Sequence, residues 1–227
     1  MKTQREIFLQ GEADCWVARN RRTLSAYRVE DDPVARHLRP FLCSGQFLAE
    51  VGCATGGRIA ALAGLAGGRA AGIDPSQAAV AEARLLHPDA DFQAGTADDL
   101  PWENASVDVL IYGFCLYLCD RSELFRIAAE GDRVLRDGGL VAVLDFCPPF
   151  PYRNAYSHRE GVFSYKLQHA ALWSWNPHYI EISRQIHDHS RPRDPGAHGV
   201  SPDERIGVVV LKKQTAHAYP LRQHYGD

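Results

Sequence analysis

"LAEVGCATGG", residues 48–57, sets a short apolar run directly before a cluster of small residues. "QFLAEV" reads as a buried strand. After Gly57, residues Ile59, Leu62, Ala63 and Ala66 recur at i, i+3, i+4 and i+7, the apolar stripe of a helix packed on a sheet. A strand, a glycine-rich turn and a helix start make a place where backbone N–H groups and the helix dipole meet a ligand. Glycine lets that ligand come close because no Cβ intervenes.

The alternation continues on both sides of this stretch. "RAAGI" is a second strand, ended by Asp74-Pro75, and Ser76 caps a helix that stops at His87-Pro88. "DFQA" and the almost wholly apolar "SVDVLIY" read as a third and a fourth strand. Leu124, Ile127, Ala128, Gly131 and Leu135 mark a helix closed by Gly138-Gly139, and "LVAVLDF" is a fifth strand. "YIEISRQI" and "RIGVVVLKK" are two closing strands separated by a polar loop. Near the amino end, residues 12–30 form a helix rich in arginine and aromatics. The pattern is that of an α/β layer structure. We expect one domain: residues 1–40 as a helical lid, 41–146 as the core, 147–178 as an insertion and 179–213 as a closing strand pair.

The 227 residues carry a net charge of −3 with no long run of one sign, which argues against a nucleic-acid footprint. The amino end lacks the apolar core of a signal peptide, and no apolar stretch approaches the roughly 20 residues needed to cross a bilayer. A cytoplasmic protein without membrane partners, monomeric or homodimeric, is expected. The six cysteines (Cys15, Cys43, Cys53, Cys115, Cys119, Cys147) are scattered through apolar segments with no CxxC pair and read as reduced. "HDH" at 187–189, with His198 nearby, lies in a Pro/Gly-rich stretch and reads as solvated loop; no metal is expected.

Asp74 ends the second strand 22 positions after Gly52, where a carboxylate can accept two ribose hydroxyls. Turn and acid alone also fit a dinucleotide fingerprint, with Ala54 in place of the middle glycine. Three features discriminate. Glu50 lies inside an otherwise apolar strand and needs a partner, either a ligand's ammonium group or backbone N–H groups of the turn. "GTADDLPW" (95–102) supplies polar groups able to read an adenine edge. The two closing strands differ from the second half of a dinucleotide fold.

Together these segments resemble the class I S-adenosylmethionine-dependent methyltransferases, in the group of small-molecule enzymes. "EVGCATGG" is similar to the family's E/D-x-G-x-G-x-G motif, and "GIDPSQAAVAEAR" to its second motif. "GTADDLPWENASVDVLIYGFCLYLCD" resembles its third and fourth motifs, and "VLRDGGLVAVLDF" its helix-to-fifth-strand segment. The resemblance implies a Rossmann-like three-layer sandwich, with a mostly parallel seven-stranded sheet, an antiparallel last strand and an N-terminal helical cap. It places Glu50, Gly52, Cys53, Ala54 and Gly56 along the methionine part of S-adenosylmethionine and Asp74 and Pro75 at the ribose. Thr96, Ala97 and Asp98 would surround the adenine, and Tyr112, Gly113 and Phe114 would face the methionyl moiety. Ala54 and Thr96 depart from the family pattern without removing a needed charge. "GEADCWVARNRR" resembles a segment of a subgroup that covers the cofactor, which puts Trp16, Arg19 and Asn20 at the mouth.

The implied reaction is methyl transfer to a small molecule, most simply to oxygen in specialised metabolism. An N-methyltransferase, a non-catalytic binder of the same cofactor and a nicotinamide-dependent oxidoreductase are the alternatives. In the insertion, His158, Tyr165 and Lys166 supply a base and a cation, and Trp175 joins Tyr117 as an apolar wall, whereas Trp173 reads as packing. Lys166 and Arg19 suit an anionic substrate group.

Overall fold

The computed structural model describes residues 2–195, 200–216 and 218–221. His198 lies outside them. Helix α1 (Gln4–Ile7), a π-helical turn (Phe8–Glu12), α2 (Ala13–Ser25) and α3 (Pro33–Leu38) precede β1 (Phe47–Val51). There follow α4 (Gly57–Ala66), β2 (Arg69–Asp74), α5 (Gln77–Leu86), β3 (Asp91–Ala94), β4 (Val107–Gly113), α6 (Leu124–Val134) and β5 (Leu135–Phe146). The remaining elements are β6 (Tyr152–Ala155), β7 (Phe163–Lys166), α7 (Ala171–Ser174), β8 (Tyr179–Asp188), β9 (Arg191–Pro195) and β10 (Arg205–Lys213).

The main sheet has the order β3-β2-β1-β4-β5-β10-β8-β9. Strands β1 to β5 pair in parallel, and β10 runs antiparallel to both β5 and β8. The strand order therefore reverses between β1 and β4, where an open α/β sheet forms its ligand crevice at the carboxyl ends. The expected seven strands are present, and β9 adds an eighth at the edge through antiparallel pairing with β8. The "polar loop" between the closing strands thus turns back as a short strand. The insertion also contains an antiparallel hairpin, β6–β7, which the sequence pattern did not signal.

Side-chain alternation divides the core between the two sheet faces. Leu48, Val109 and Ile111 pack with Val34, Leu38, Ile59 and Leu62 beneath α3 and α4. Ala49, Val51, Leu110 and Tyr112 pack with Ile127 and Val134 of α6 and with Trp173 of α7. Helices thus cover both faces, the condition under which parallel strands read as continuous apolar runs. Ser76 caps α5 by accepting from the Ala79 N–H, as expected. All six cysteines are free thiols. Among the described residues, no helix is long and apolar enough to cross a membrane, and no cluster of metal-ligand side chains occurs.

Candidate active site

A cleft opens at the carboxyl ends of β1, β2 and β4. Gly52, Asp74 and Pro75 form one wall, Thr96, Ala97 and Asp98 the next, and Gly113 and Phe114 a third. Arg5, Phe8 and Trp16 cover it from the amino-terminal segment. The wall residues come from four separate segments, and the sheet brings them together.

The turn after β1 is left-handed at three positions, Gly52 (φ 74°), Ala54 (φ 47°) and Gly56 (φ 76°). A Cβ at Gly52 would stand 2.7 Å from that of Cys115, so this position is closed to a side chain as well as strained for one. Asp74 organises the turn from the neighbouring strand. Its Oδ2 accepts the Ala54 N–H at 2.9 Å and its Oδ1 the Ser76 N–H at 2.8 Å. Burial pushes this carboxyl up to about 6, against the pull of those two N–H groups. A carboxylate has about four acceptor sites, so two bonds leave capacity toward the cleft. Cys53, Ala54 and Gly56 are buried within the turn and do not line the cleft.

Glu50 points to the α3–α4 face, and its partner is neither of those expected. Its Oε1 accepts from Arg58 Nη1 at 2.7 Å, while Arg58 Nε donates to Asp32 Oδ2 at 2.7 Å. Asp32 Oδ1 in turn caps α3 through the Val34 N–H at 2.7 Å. Glu50 is 1% exposed, and its Oε2 has no partner. Burial pushes the Glu50 carboxyl up to about 7, and the two carboxylates hold Arg58 firmly charged. Gly113 belongs to this arrangement, because a Cβ there would collide with the Arg58 guanidinium and the Glu50 carboxylate.

The roof is fastened at several points. Asp120 accepts the Gln4 and Arg5 N–H groups at 3.1 and 2.9 Å. Gln4 donates to the Leu118 carbonyl at 2.7 Å and accepts the Phe163 N–H at 2.7 Å, so it joins the cleft loop to the hairpin. Arg5 reaches Asp98 Oδ1 at 3.2 Å and Thr96 Oγ1 at 3.3 Å. Asp14 of α2 accepts the Ser76 hydroxyl at 2.6 Å. Arg19 pairs with Glu12 at 2.6 Å and donates to the Tyr156 hydroxyl at 2.8 Å, and Asn20 donates to the Trp16 carbonyl at 2.9 Å.

Several expected residues lie elsewhere. Tyr112 shares the face of Leu110, so its ring is buried 4.9 Å from Trp173 and cannot face the cleft. Trp175 is 70% exposed and donates to the Leu172 carbonyl, and it lines no wall of the cleft. Lys166 is buried and already paired, with its Nζ 2.9 Å from Asp203 Oδ1 and 4.0 Å over the Phe146 ring. Tyr165 lies under the Arg121 guanidinium, at 4.4 Å. His158 is an exposed hairpin residue against Tyr156. Tyr117 does not line the cleft itself but packs edge-on to the cleft residue Phe114, at 5.9 Å.

Sequence reasoning missed Arg5, Phe8 and Gln4, whose segment carried no motif; the helix start Thr3-x-x-Glu6, a capping box, was the available signal. It also missed Asp145, at the end of β5, which accepts the Phe146 and Tyr117 N–H groups at 2.7 and 3.1 Å. Burial pushes Asp145 up to about 7.

A methyltransferase domain model matches residues 49–143, the segment that builds these walls. A ubiquinone/menaquinone biosynthesis C-methyltransferase of Rubrivivax gelatinosus is 35% identical over 120 residues, covering 50% of this chain and 46% of that protein. An O-methyltransferase of Aspergillus sclerotiorum is 32% identical over 111 residues, covering 46% and 41%. The chain spans less than half the length of these relatives. Among solved structures, the 1,6-didemethyltoxoflavin-N1-methyltransferase of Burkholderia thailandensis, bound to its substrate and S-adenosylhomocysteine, superposes with a TM-score of 0.71. It is 15% identical, with 92% of this chain and 89% of that one covered. A Methanosarcina mazei methyltransferase gives a TM-score of 0.62 at 16% identity, covering 78% and 97%. Matched segment, sheet order and cleft agree: residues 49–143 resemble a methyltransferase domain, and the fold is that of S-adenosylmethionine-dependent methyltransferases.

Proposed function

We propose that this chain transfers a methyl group from S-adenosylmethionine to the oxygen of a small molecule. The observation that carries the reading is the position of Asp74 at the cleft, beside a turn whose apex, Gly52, admits no side chain. The donor set fits the cofactor. Asp74 has acceptor capacity for ribose hydroxyls, Thr96 and Asp98 offer acceptors for an adenine amino group, and Gly52 with Gly113 leaves room for the methionyl part. The orphaned Glu50 Oε2 supports the same fit, since it lacks a donor near the turn.

The cofactor supplies an activated methyl group, so the chain's own residues need to orient the acceptor in line and exclude water. Phe8, Trp16 and Phe114 supply apolar walls for that purpose. Lys166 and Arg19, the two cations expected to hold an anionic substrate, are each paired with a carboxylate. That pairing favours an uncharged acceptor.

Calorimetry with S-adenosylhomocysteine, S-adenosylmethionine and NAD tests the cofactor, and label transfer from methyl-labelled cofactor to a panel of hydroxyl and amine compounds tests the acceptor. Binding of the first two ligands, lost on Asp74→Ala, is expected. Binding of NAD alone overturns the reading.

A further inference from the structure

Two charged side chains of the cleft wall keep hydrogen-bonding capacity that no neighbouring group takes up. One of them comes from α1. That helix opens with a capping box between Thr3 and Glu6, and Asp120 accepts the Gln4 and Arg5 N–H groups, so the direction of its first turn is fixed. Arg5 and Phe8, three residues apart, share the face turned to the cleft, while Glu6, Leu9 and Gln10 are exposed. The roof thus contributes a guanidinium to the cleft wall.

Only the Nε of that guanidinium is engaged. It lies 3.2 Å from Asp98 Oδ1 and donates to Thr96 Oγ1 at 3.3 Å, whereas Nη1 and Nη2 make no hydrogen bond among the described residues. Their N–H groups stay available on the planar fork. Asp98 is the second group. It is 2% exposed and lines the same cleft, yet neither side-chain oxygen accepts a hydrogen bond among the described residues. Its Oδ2 has only Arg126 Nε, at 3.9 Å. A carboxylate removed from water to that degree needs donors.

Free donors and a free acceptor thus stand side by side in one wall. Adenine carries the complementary pair on one edge, an N7 acceptor next to a 6-amino donor, whereas a 6-oxopurine presents two acceptors there. We propose that Arg5 is a cofactor-binding residue and that, with Asp98, it reads this edge of the adenine from the roof. The inference rests on the cofactor reading above. With the ribose at Asp74, on β2, one end of the molecule runs toward β1 and β4 and the other toward β3. The sheet order puts Asp98, which follows β3, at the base end, and leaves the methionyl end to Gly52 and Gly113. Arg5 donates from Nη to N7, and the Asp98 carboxylate, which holds Nε in place, accepts from the amino group. Arg5 is thereby a specificity-determining residue, and α1 is part of the cofactor site as well as its cover.

Calorimetry on the full chain compares S-adenosylhomocysteine with its 7-deaza analogue, in which C–H replaces N7, and its 6-oxo analogue, in which a carbonyl replaces the amino group. The wild type is expected to bind S-adenosylhomocysteine at least about tenfold tighter than either, because each analogue leaves a charged group without its partner. Arg5→Met keeps the stem and removes the donors. It should weaken S-adenosylhomocysteine about tenfold and bind the 7-deaza analogue within about twofold of it. Asp98→Asn can donate as well as accept, and should cut the preference over the 6-oxo analogue by at least about tenfold. Each ratio is taken within one variant, so a partly unfolded sample lowers both affinities and leaves the ratio intact. If Arg5→Met weakens S-adenosylhomocysteine and the 7-deaza analogue equally, Arg5 only fastens the roof and the proposal is overturned. A wild type that does not distinguish the 7-deaza analogue overturns it too, whether or not the variants fold, and so does an unchanged preference in Asp98→Asn. Failure of the wild type to bind S-adenosylhomocysteine at all overturns the underlying cofactor reading instead.

Discussion

Replacing Arg58 by methionine keeps the aliphatic stem of the side chain and removes its charge. In the native structure that charge faces two carboxylates, each at 2.7 Å, and both are nearly inaccessible to water. Asp32 keeps its caps to Val34 and Ala35 after the substitution. Glu50 keeps nothing, because Oε1 loses Arg58 and Oε2 has no partner to begin with. Removing one partner of a buried ion pair typically costs about 3–5 kcal/mol. For a chain of this size each kcal/mol lowers Tm by about 2–4 °C, so a fall of roughly 6–20 °C is expected. Glu50 escapes part of the cost by binding a proton, and its carboxyl already sits at about 7 in the presence of Arg58. The loss should therefore be larger at pH 8.5 than at pH 5.5, and Glu50→Gln combined with Arg58→Met should recover much of it. Urea unfolding followed by circular dichroism at the two pH values measures this. A loss below about 1 kcal/mol at the higher pH, the size of a surface pair, refutes the account of a buried triad; so does a double variant no better than the single one.

Three further outcomes are expected. Ala54→Gly relieves a left-handed alanine worth roughly 1 kcal/mol and should raise Tm slightly while leaving S-adenosylhomocysteine affinity within a few fold, read by thermal melts and calorimetry. Asp145 titrates near 7 when folded and near 4 when unfolded. Between those values the folded chain holds the extra proton, so stability falls as pH rises through that window. Unfolding of Asp145→Asn across the window should show a shallower slope. Asp203→Ala removes the acceptor shared by Lys166, Tyr152 and Asn154, and should speed proteolytic cutting within the hairpin while leaving the far-ultraviolet spectrum unchanged.

The parallel strands were legible because each is an apolar run bounded by turn residues, and the Asp74 carboxylate was legible from its distance to the turn. The partner of Glu50 was not. Arg58 stands eight residues on, past the turn, and only the direction of the first helical turn of α4 brings it back over β1. The Tyr112 misplacement was avoidable, since alternation along "VDVLIYG" assigns it to the same face as Leu110. β9 was hidden by its composition, "RPRDP", which reads as loop and pairs only because β8 offers an edge. The roof was illegible for a different reason. Its contacts join the first residues to positions more than a hundred residues away, and no local pattern encodes such a pairing.

Gln4 deserves a kinetic reading, because one amide is bonded to two different chain segments at once. Its nitrogen needs an acceptor and its oxygen a donor, a pair of demands that neither glutamate nor leucine satisfies. Lifting α1 off the cleft therefore means exchanging both bonds for water, and a variant that lacks either bond should open the roof more readily.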